Sequence, residues 1–521
     1  MSLSKKVVKG LSWDFIGITA VNILGILSSI VFVKLLNAEI YGIFIILMNF
    51  YQMLVLFTTF GLNTTLLKFY SEWKAKNHFF TINKVIEFIF KFRAGITLIL
   101  GIFLLLFSGF TGEFIIKKTI DPGLIQLIGI FFIVSSFQGV FQQILIAEYQ
   151  QSYINIMLSI FFTLRFLFGY IQLKYFNGSV AELIMVYIIA ELGLVISYGI
   201  NAFKIYKLNR NKRDKLETSE KLDIKHLFSF SFFAYLYVVL GYVLGKGMDI
   251  FLIGKMISDT KEATYYSLAH GISYMVISFS ARAFSGGIPL TVTTELFTKN
   301  DFKGLKTFFT GFFEALYFFI IPMAAGAWIL RDGIVQILYG PGFEIVSLIM
   351  SIFLITMIFL KFSSITSTYI IAMGHEKKLV ISRLILGVTN FILDILFIPK
   401  WGALGAVVAS TIAGLLAVTF ETVLLLLLLK PKFPFKFILK VLASTGIMGG
   451  IVWFLNNTLS GISVLKTVLL LSVIGGIIYF LSSLIMKPLS KEYLEIIKTK
   501  NIKFTSILNP VSYTHLRAHE T

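Results

Sequence analysis

Apolar windows of twenty or so residues recur along the whole chain, separated by short polar breaks. Each is about the length that crosses ~30 Å of hydrocarbon at 1.5 Å per residue. The windows predict fourteen helices, near 11–33, 42–66, 94–116, 123–147, 153–173, 180–203, 228–254, 263–287, 308–330, 345–371, 379–398, 402–429, 437–456 and 463–486. The breaks carry turn chemistry, as at Asp121-Pro122-Gly123, Asn177-Gly178, Gly340-Pro341-Gly342, Pro399-Lys400 and Lys430-Pro431. The expected fold class is an all-α polytopic membrane protein. The first run, Trp13 to Val33, is too long for a signal-peptide core and is read as the first span.

Alternate connections differ in charge. Those on the side of the N-terminus hold 31 Lys and Arg residues, against nine on the other side, with residues 511–521 left out. This asymmetry predicts a cell-membrane protein with both termini in the cytoplasm. All connections on the opposite side are short. The one longer link, 204–227, mixes charges and reads as a solvated linker. It divides an N-lobe of six helices (1–203) from a C-lobe of six (228–429), followed by two further helices (430–486) and a cytoplasmic tail (487–510). The halves share a weak period: 144–166 laid over 369–391 keeps five of 23 positions identical. The final VSYTHLRAHET (511–521) breaks in composition and resembles a translated sequencing-adapter read-through, so the natural sequence is expected to depart near Pro510.

Composition narrows the chemistry. The chain is 57% apolar and only 14% charged, where a soluble chain carries about 25%. The +19 net charge sits in the connections, which argues against nucleic acid. Lysines number 38 and arginines 8. Cysteine is absent, which excludes disulfides, thiol catalysis and cysteine metal sites. No P-loop, H-E-x-x-H or Ser/His/Asp arrangement is present. No cofactor, metal or catalytic residue is expected, and the chain reads as a non-enzyme. His78, His226, His270 and His375 are scattered and read as interfacial or loop residues.

Five basic residues fall inside predicted spans: Arg165, Lys246, Arg282, Lys361 and Arg383. Each would cost about 2.5–3.5 kcal/mol facing lipid at a helix centre, so most must face protein or water. Arg282 and Arg383 lie near the cytoplasmic ends of their helices, within snorkelling range. Arg165, Lys246 and Lys361 are deeper. The acids are Asp14, Glu191, Asp249, Glu314, Asp394 and Glu421. Asp14, Glu314 and Asp394 lie near helix ends, where partial solvation is expected; Glu191 and Asp249 are deeper. Lys246 and Asp249 are three apart and can neutralise each other on one helix face. Gly241, Gly245, Gly247 and Gly254 surround them, permitting close helix approach or a loosened helix beside a cavity. The balance points to a water-filled cavity of net positive lining, suited to a phosphate-bearing substrate.

Several segments in order carry a family resemblance: VFVKLLNAEIYGIFIILMNF (31–50), FGLNTTLLKFY (60–70), GYVLGKGMDIFLIGKMISDTKEATYYSLAHGI (241–272), IPLTVTTELFTKNDFKGL (288–305) and ILYGPGF (337–343). The chain resembles the Wzx-type polysaccharide (O-antigen) flippases of the MATE-like superfamily of multidrug, oligosaccharidyl-lipid and polysaccharide transporters. That resemblance implies two six-helix bundles forming a V plus two trailing helices. It implies movement of a polyprenyl-diphosphate-linked oligosaccharide across the bilayer by alternating access, alongside polysaccharide polymerase machinery. Arg165, Lys246 and Lys361 would engage the anionic headgroup, and Arg282 and Arg383 would guide entry. Asp249, Glu191 and Asp14 are candidates for coupling to an ion gradient. Lysine stands at several cavity positions where the family more often has arginine, giving a point charge without bidentate geometry. A drug-exporting antiporter of the same fold would favour carboxylate-lined cavities. A peptidoglycan-precursor flippase would work in the same way. A glycan polymerase or glycosyltransferase would need a large outer loop, which is missing.

Overall fold

A computed structural model describes residues 3–75, 78–213, 245–281, 296–459 and 463–489, with Ser231, Phe232, Tyr235, Val239 and Thr293. Among the described residues there are seventeen helices and no strand. Eleven helices are long and apolar enough to cross a membrane. The expected windows 228–254 and 263–287 are described only in part. The described residues form two compact units, one up to Thr264 and one from Tyr265.

The first unit contains α1 (Leu3–Leu36), α2 (Ala38–Thr59), α3 (Leu62–Ala75), α4 (Phe79–Leu106) and α5 (Ser108–Ile115). It continues with α6 (Pro122–Ser135), α7 (Gln138–Ala147), α8 (Gln151–Tyr175), α9 (Val180–Arg213) and α10 (Lys246–Met256). The expected span 42–66 ends early, because Phe60 and Gly61 both take positive φ (39° and 69°) and turn the chain into α3. Gly61 is needed there: a side chain at this left-handed position would also strike the Ser231 carbonyl. The third span also shifts, to 79–106 rather than 94–116. Ile82, Val85, Ile86 and Ile89 bury one helical face while Lys84, Glu87 and Lys91 stay exposed on the other, so the charged stretch continues the helix. Asp121 caps α6 as its Asp-Pro-Gly signature predicts, accepting from the Gly123 N–H at 2.9 Å.

One core of this unit joins Leu62, Leu66 and Phe69 of α3 to Ile82 and Ile89 of α4, Ile144 of α7 and Tyr198 of α9. Its polar edge is tied by Tyr70, which donates to Glu148 at 2.7 Å, and by Lys74 paired with the same carboxylate. The start of α2 abuts the residues after α10. The Thr260 and Thr264 hydroxyls donate to the Glu39 and Ala38 carbonyls, each at 2.7 Å. Any Cβ on Gly42 would overlap the Thr260 carbonyl, which accounts for the glycine in the Tyr41-Gly42 pair.

The boundary between units falls within α11 (Lys261–Ala281). The second unit continues with α12 (Phe302–Ile329), α13 (Arg331–Tyr339), α14 (Glu344–Ala372), α15 (Glu376–Leu429), α16 (Phe435–Thr458) and α17 (Val464–Met486). A 54-residue helix would be about 80 Å long if straight, and it is not straight. Gly402 takes φ 56°, ψ −133°, so α15 is two helices that meet there rather than at the expected Pro399-Lys400. Ser382 reaches Glu421 across the turn, which shows that the two arms run back along each other. Tyr479 of α17 donates to the Phe318 carbonyl of α12 at 2.6 Å, and Leu471 packs with Met448 and Val452 of α16.

Candidate functional site

Polar groups in the interior of the first unit converge on Tyr51 of α2. Arg165 on α8 is buried and forms an ion pair with Glu191 on α9. Its guanidinium also lies over the rings of Phe162 and Tyr187, 4.9 and 5.2 Å from their centroids. Tyr187 stands edge-on to Phe44 at 5.4 Å, and Tyr51 packs against Phe131 at 4.4 Å. Tyr51 is within electrostatic reach of both Arg165 and a second arginine, Arg93.

Arg93 is the residue that sequence reasoning missed. It falls one residue ahead of the expected third span, 94–116. The earlier start of α4 places it more than three turns inside the helix, where it is 1% exposed. Its Nη1 donates to the Asn63 side chain at 2.9 Å, and its buried Nε has no partner. No acid pairs with it among the described residues. Gly139 of α7 faces it, and a Cβ there would come within 3.4 Å of Nη1. The signal was in the sequence: Ile82, Val85, Ile86 and Ile89 define a stripe that continues through Arg93 to Thr97. Two arginines and one glutamate leave this cluster with net positive charge.

Lys246 and Asp249 depart from expectation. Gly245 is extended (φ −131°, ψ −175°), so α10 begins at Lys246 instead of continuing an earlier helix. Lys246 is half-buried, whereas Asp249, in the first turn, is 1% exposed. No ion pair joins them among the described residues. A carboxylate in a helix's first turn is favoured by the exposed N–H groups there, which gives Asp249 a reason to be buried without Lys246. The Gly247 carbonyl accepts from Asn49 of α2 at 2.7 Å. Asn49 and Tyr51 stand about 200° apart around that helix. The structure therefore sets Lys246 and the arginine cluster on different faces of α2.

The remaining candidates are dispersed. Lys361 on α14 and Arg383 on α15 are half-buried, with no hydrogen bond or ion pair among the described residues. Arg282 and the side chain of Asp14 lie outside the described residues. Glu314 and Asp394 are corrected from partly solvated to buried. Glu314 lies in a stretch of α12, Phe313 to Tyr317, that is buried on every side. Asp394 is fully buried and accepts from Asn390, one turn earlier, at 2.9 Å.

The sequence pattern of the polysaccharide biosynthesis protein family matches residues 7–295, more than half of the chain. The chain belongs to this family. An uncharacterized membrane protein of Methanocaldococcus jannaschii is 24% identical over 452 residues, which cover 83% of this chain and 86% of that protein. The lipid II flippase MurJ of Thermosipho africanus is 28% identical over 197 residues, or 34% of this chain and 40% of the flippase. Among solved structures, a lipid II flippase MurJ in an inward closed conformation superposes with a TM-score of 0.72 at 19% identity, covering 94% of this chain and all of that one. An inward-facing multidrug resistance MATE family transporter gives 0.59 at 12% identity, over 79% of this chain and 96% of the transporter. The family member described here thus has the flippase and MATE-type fold and is a multi-pass membrane protein.

Proposed function

We propose that this polysaccharide biosynthesis family member moves a polyprenyl-diphosphate-linked oligosaccharide across the cell membrane by alternating access, without covalent chemistry. The carrying observation is Arg93: a buried guanidinium with one neutral partner and a spare donor. A buried cation left without an acid is costly unless something else compensates it, and a diphosphate offers several acceptors suited to a guanidinium. Arg165, whose charge Glu191 offsets, positions aromatic rings beside that site. The fold shared with a lipid II flippase supports the same class of lipid and also favours a second reading, in which the glycan is a peptidoglycan precursor. Both readings share the diphosphate, so the glycan decides between them.

The test is flipping in proteoliposomes, followed as protection of a fluorescent glycan from a membrane-impermeant reductant. A polyprenyl diphosphate carrying an oligosaccharide should be moved, and its monophosphate analogue should not. Preference for a lipid II analogue selects the second reading. Export of organic cations, with no lipid movement, sinks both. The positive-side bias supports cytoplasmic termini. Because the chain has no cysteine, single substitutions Lys378→Cys and Asn177→Cys should label only from the cytoplasmic and the outer side, respectively.

A further inference from the structure

The second unit holds a buried carboxylate that transport of a lipid headgroup leaves unused. Glu421, on the second arm of α15, is 1% exposed. Its Oε2 accepts from the hydroxyls of Ser363 at 2.6 Å and Thr366 at 3.0 Å, both on α14. Its Oε1 accepts from Ser382 at 2.7 Å, on the first arm of α15. No lysine or arginine pairs with it among the described residues. Counting residues from the nearest helix ends places these groups about 9–14 Å inside. Hydroxyl dipoles satisfy the oxygens but do not cancel the charge, and an uncancelled charge at this depth is expensive.

We propose that Glu421, Ser363, Thr366 and Ser382 form a binding site for a small monovalent cation, sodium. Five oxygens from three helical segments converge, and oxygen ligands of this kind suit hard cations. A single carboxylate matches a single positive charge. Two of the three hydroxyls can turn a lone pair inward because their hydrogens have other acceptors. Thr366 Oγ1 lies 3.0 Å from the Ser363 carbonyl, and Ser382 Oγ lies 3.5 Å from the Ala417 carbonyl. The hairpin at Gly402 assembles the site by laying Ser382 beside Glu421. The proposal does not rest on the identity of the transported substrate.

The experiment is equilibrium binding of radiolabelled sodium ion to the purified full chain in detergent, with choline holding ionic strength constant. The wild type should bind sodium, displaced by unlabelled sodium far better than by potassium. Glu421→Gln should lose this site. The Ser363→Ala/Ser382→Ala double variant, which keeps the carboxylate, should bind with affinity reduced roughly tenfold per hydroxyl. Unchanged binding in Glu421→Gln overturns the site, and so does unchanged affinity in a folded double variant. Absence of sodium binding, with a carboxylic-acid infrared band that Glu421→Gln removes, overturns the cation in favour of a held proton.

Discussion

Arg93 in the first unit and Glu421 in the second are equally buried and carry opposite charge, and neither has an oppositely charged side chain paired to it among the described residues. They differ in how their polar atoms are satisfied. Both oxygens of Glu421 are occupied by hydroxyl donors from neighbouring helices, whereas Arg93 has one hydrogen bond and an orphaned Nε. A satisfied cage around a charge suits a small counter-ion that needs no rearrangement. A charge with donors to spare suits a larger ligand that brings its own acceptors. Arg165 supplies the reference: its charge is offset by Glu191, so it acts mainly as part of the frame.

The largest expected effect is on that frame. Arg165→Met leaves Glu191 buried without its cation, and breaking such a pair costs about 3–5 kcal/mol. Thermal unfolding in detergent should show a large drop in midpoint, much of it restored in the Arg165→Met/Glu191→Leu double variant. A single-variant loss that the double variant fails to recover would mean that the two charges act independently.

Arg93 should behave in the opposite way. Arg93→Gln removes a charge that no acid balances, so stability should hold or rise. Diphosphate lipid binding should weaken by about 1.5–3 kcal/mol, roughly 10–150-fold, the range for hydrogen bonds to charged groups. Lipid affinity and unfolding midpoint measured on the same preparation separate the two outcomes. A variant that unfolds early yet binds normally would make Arg93 structural and leave the comparison without its first member.

Next comes the hairpin that builds the Glu421 site. Gly402→Ala places a Cβ at a backbone conformation that only glycine adopts readily, costing about 1–3 kcal/mol. The unfolding midpoint should fall accordingly, and sodium affinity should fall with it, because Ser382 and Glu421 are brought together across this turn. Lower stability with sodium affinity intact would separate the turn from the site.

The spans were legible because the bilayer demands long apolar runs, and a window average detects them without any knowledge of packing. The Asp121 cap was legible because it depends only on adjacent residues. The same averaging hid Arg93: one charge after Lys84, Glu87 and Lys91 looks like part of a loop, and only the phase of Ile82, Val85, Ile86 and Ile89 shows that it points inward. Lys246 with Asp249 failed for a related reason. Their spacing shows a shared helix face but not that the helix begins at Lys246, where the free N–H groups of the first turn favour the Asp249 carboxylate without a lysine. Ser363, Thr366, Ser382 and Glu421 lie on three helical segments, so no local spacing announces them. Depth from a helix end also misled for Glu314 and Asp394, whose burial depends on neighbours that a linear reading does not place.

The smallest effect is expected where the basic residues are only half-buried. Lys361 and Arg383 make no ion pair or hydrogen bond among the described residues, and a substitution that breaks no such contact usually changes stability by about 0.5 kcal/mol or less. Lys361→Gln and Arg383→Gln should each change the flipping rate less than about fivefold, with unfolding midpoints close to wild type. Such a result would rank the basic residues by burial and partnering rather than by depth along the helix. It would leave Arg93, a loop charge by simple counting, as the dominant cation. A loss at Lys361 as large as that at Arg93 would show instead that half-buried lysines in the second unit carry the anion. The contrast between the units would then lie in accessibility, not in unsatisfied charge.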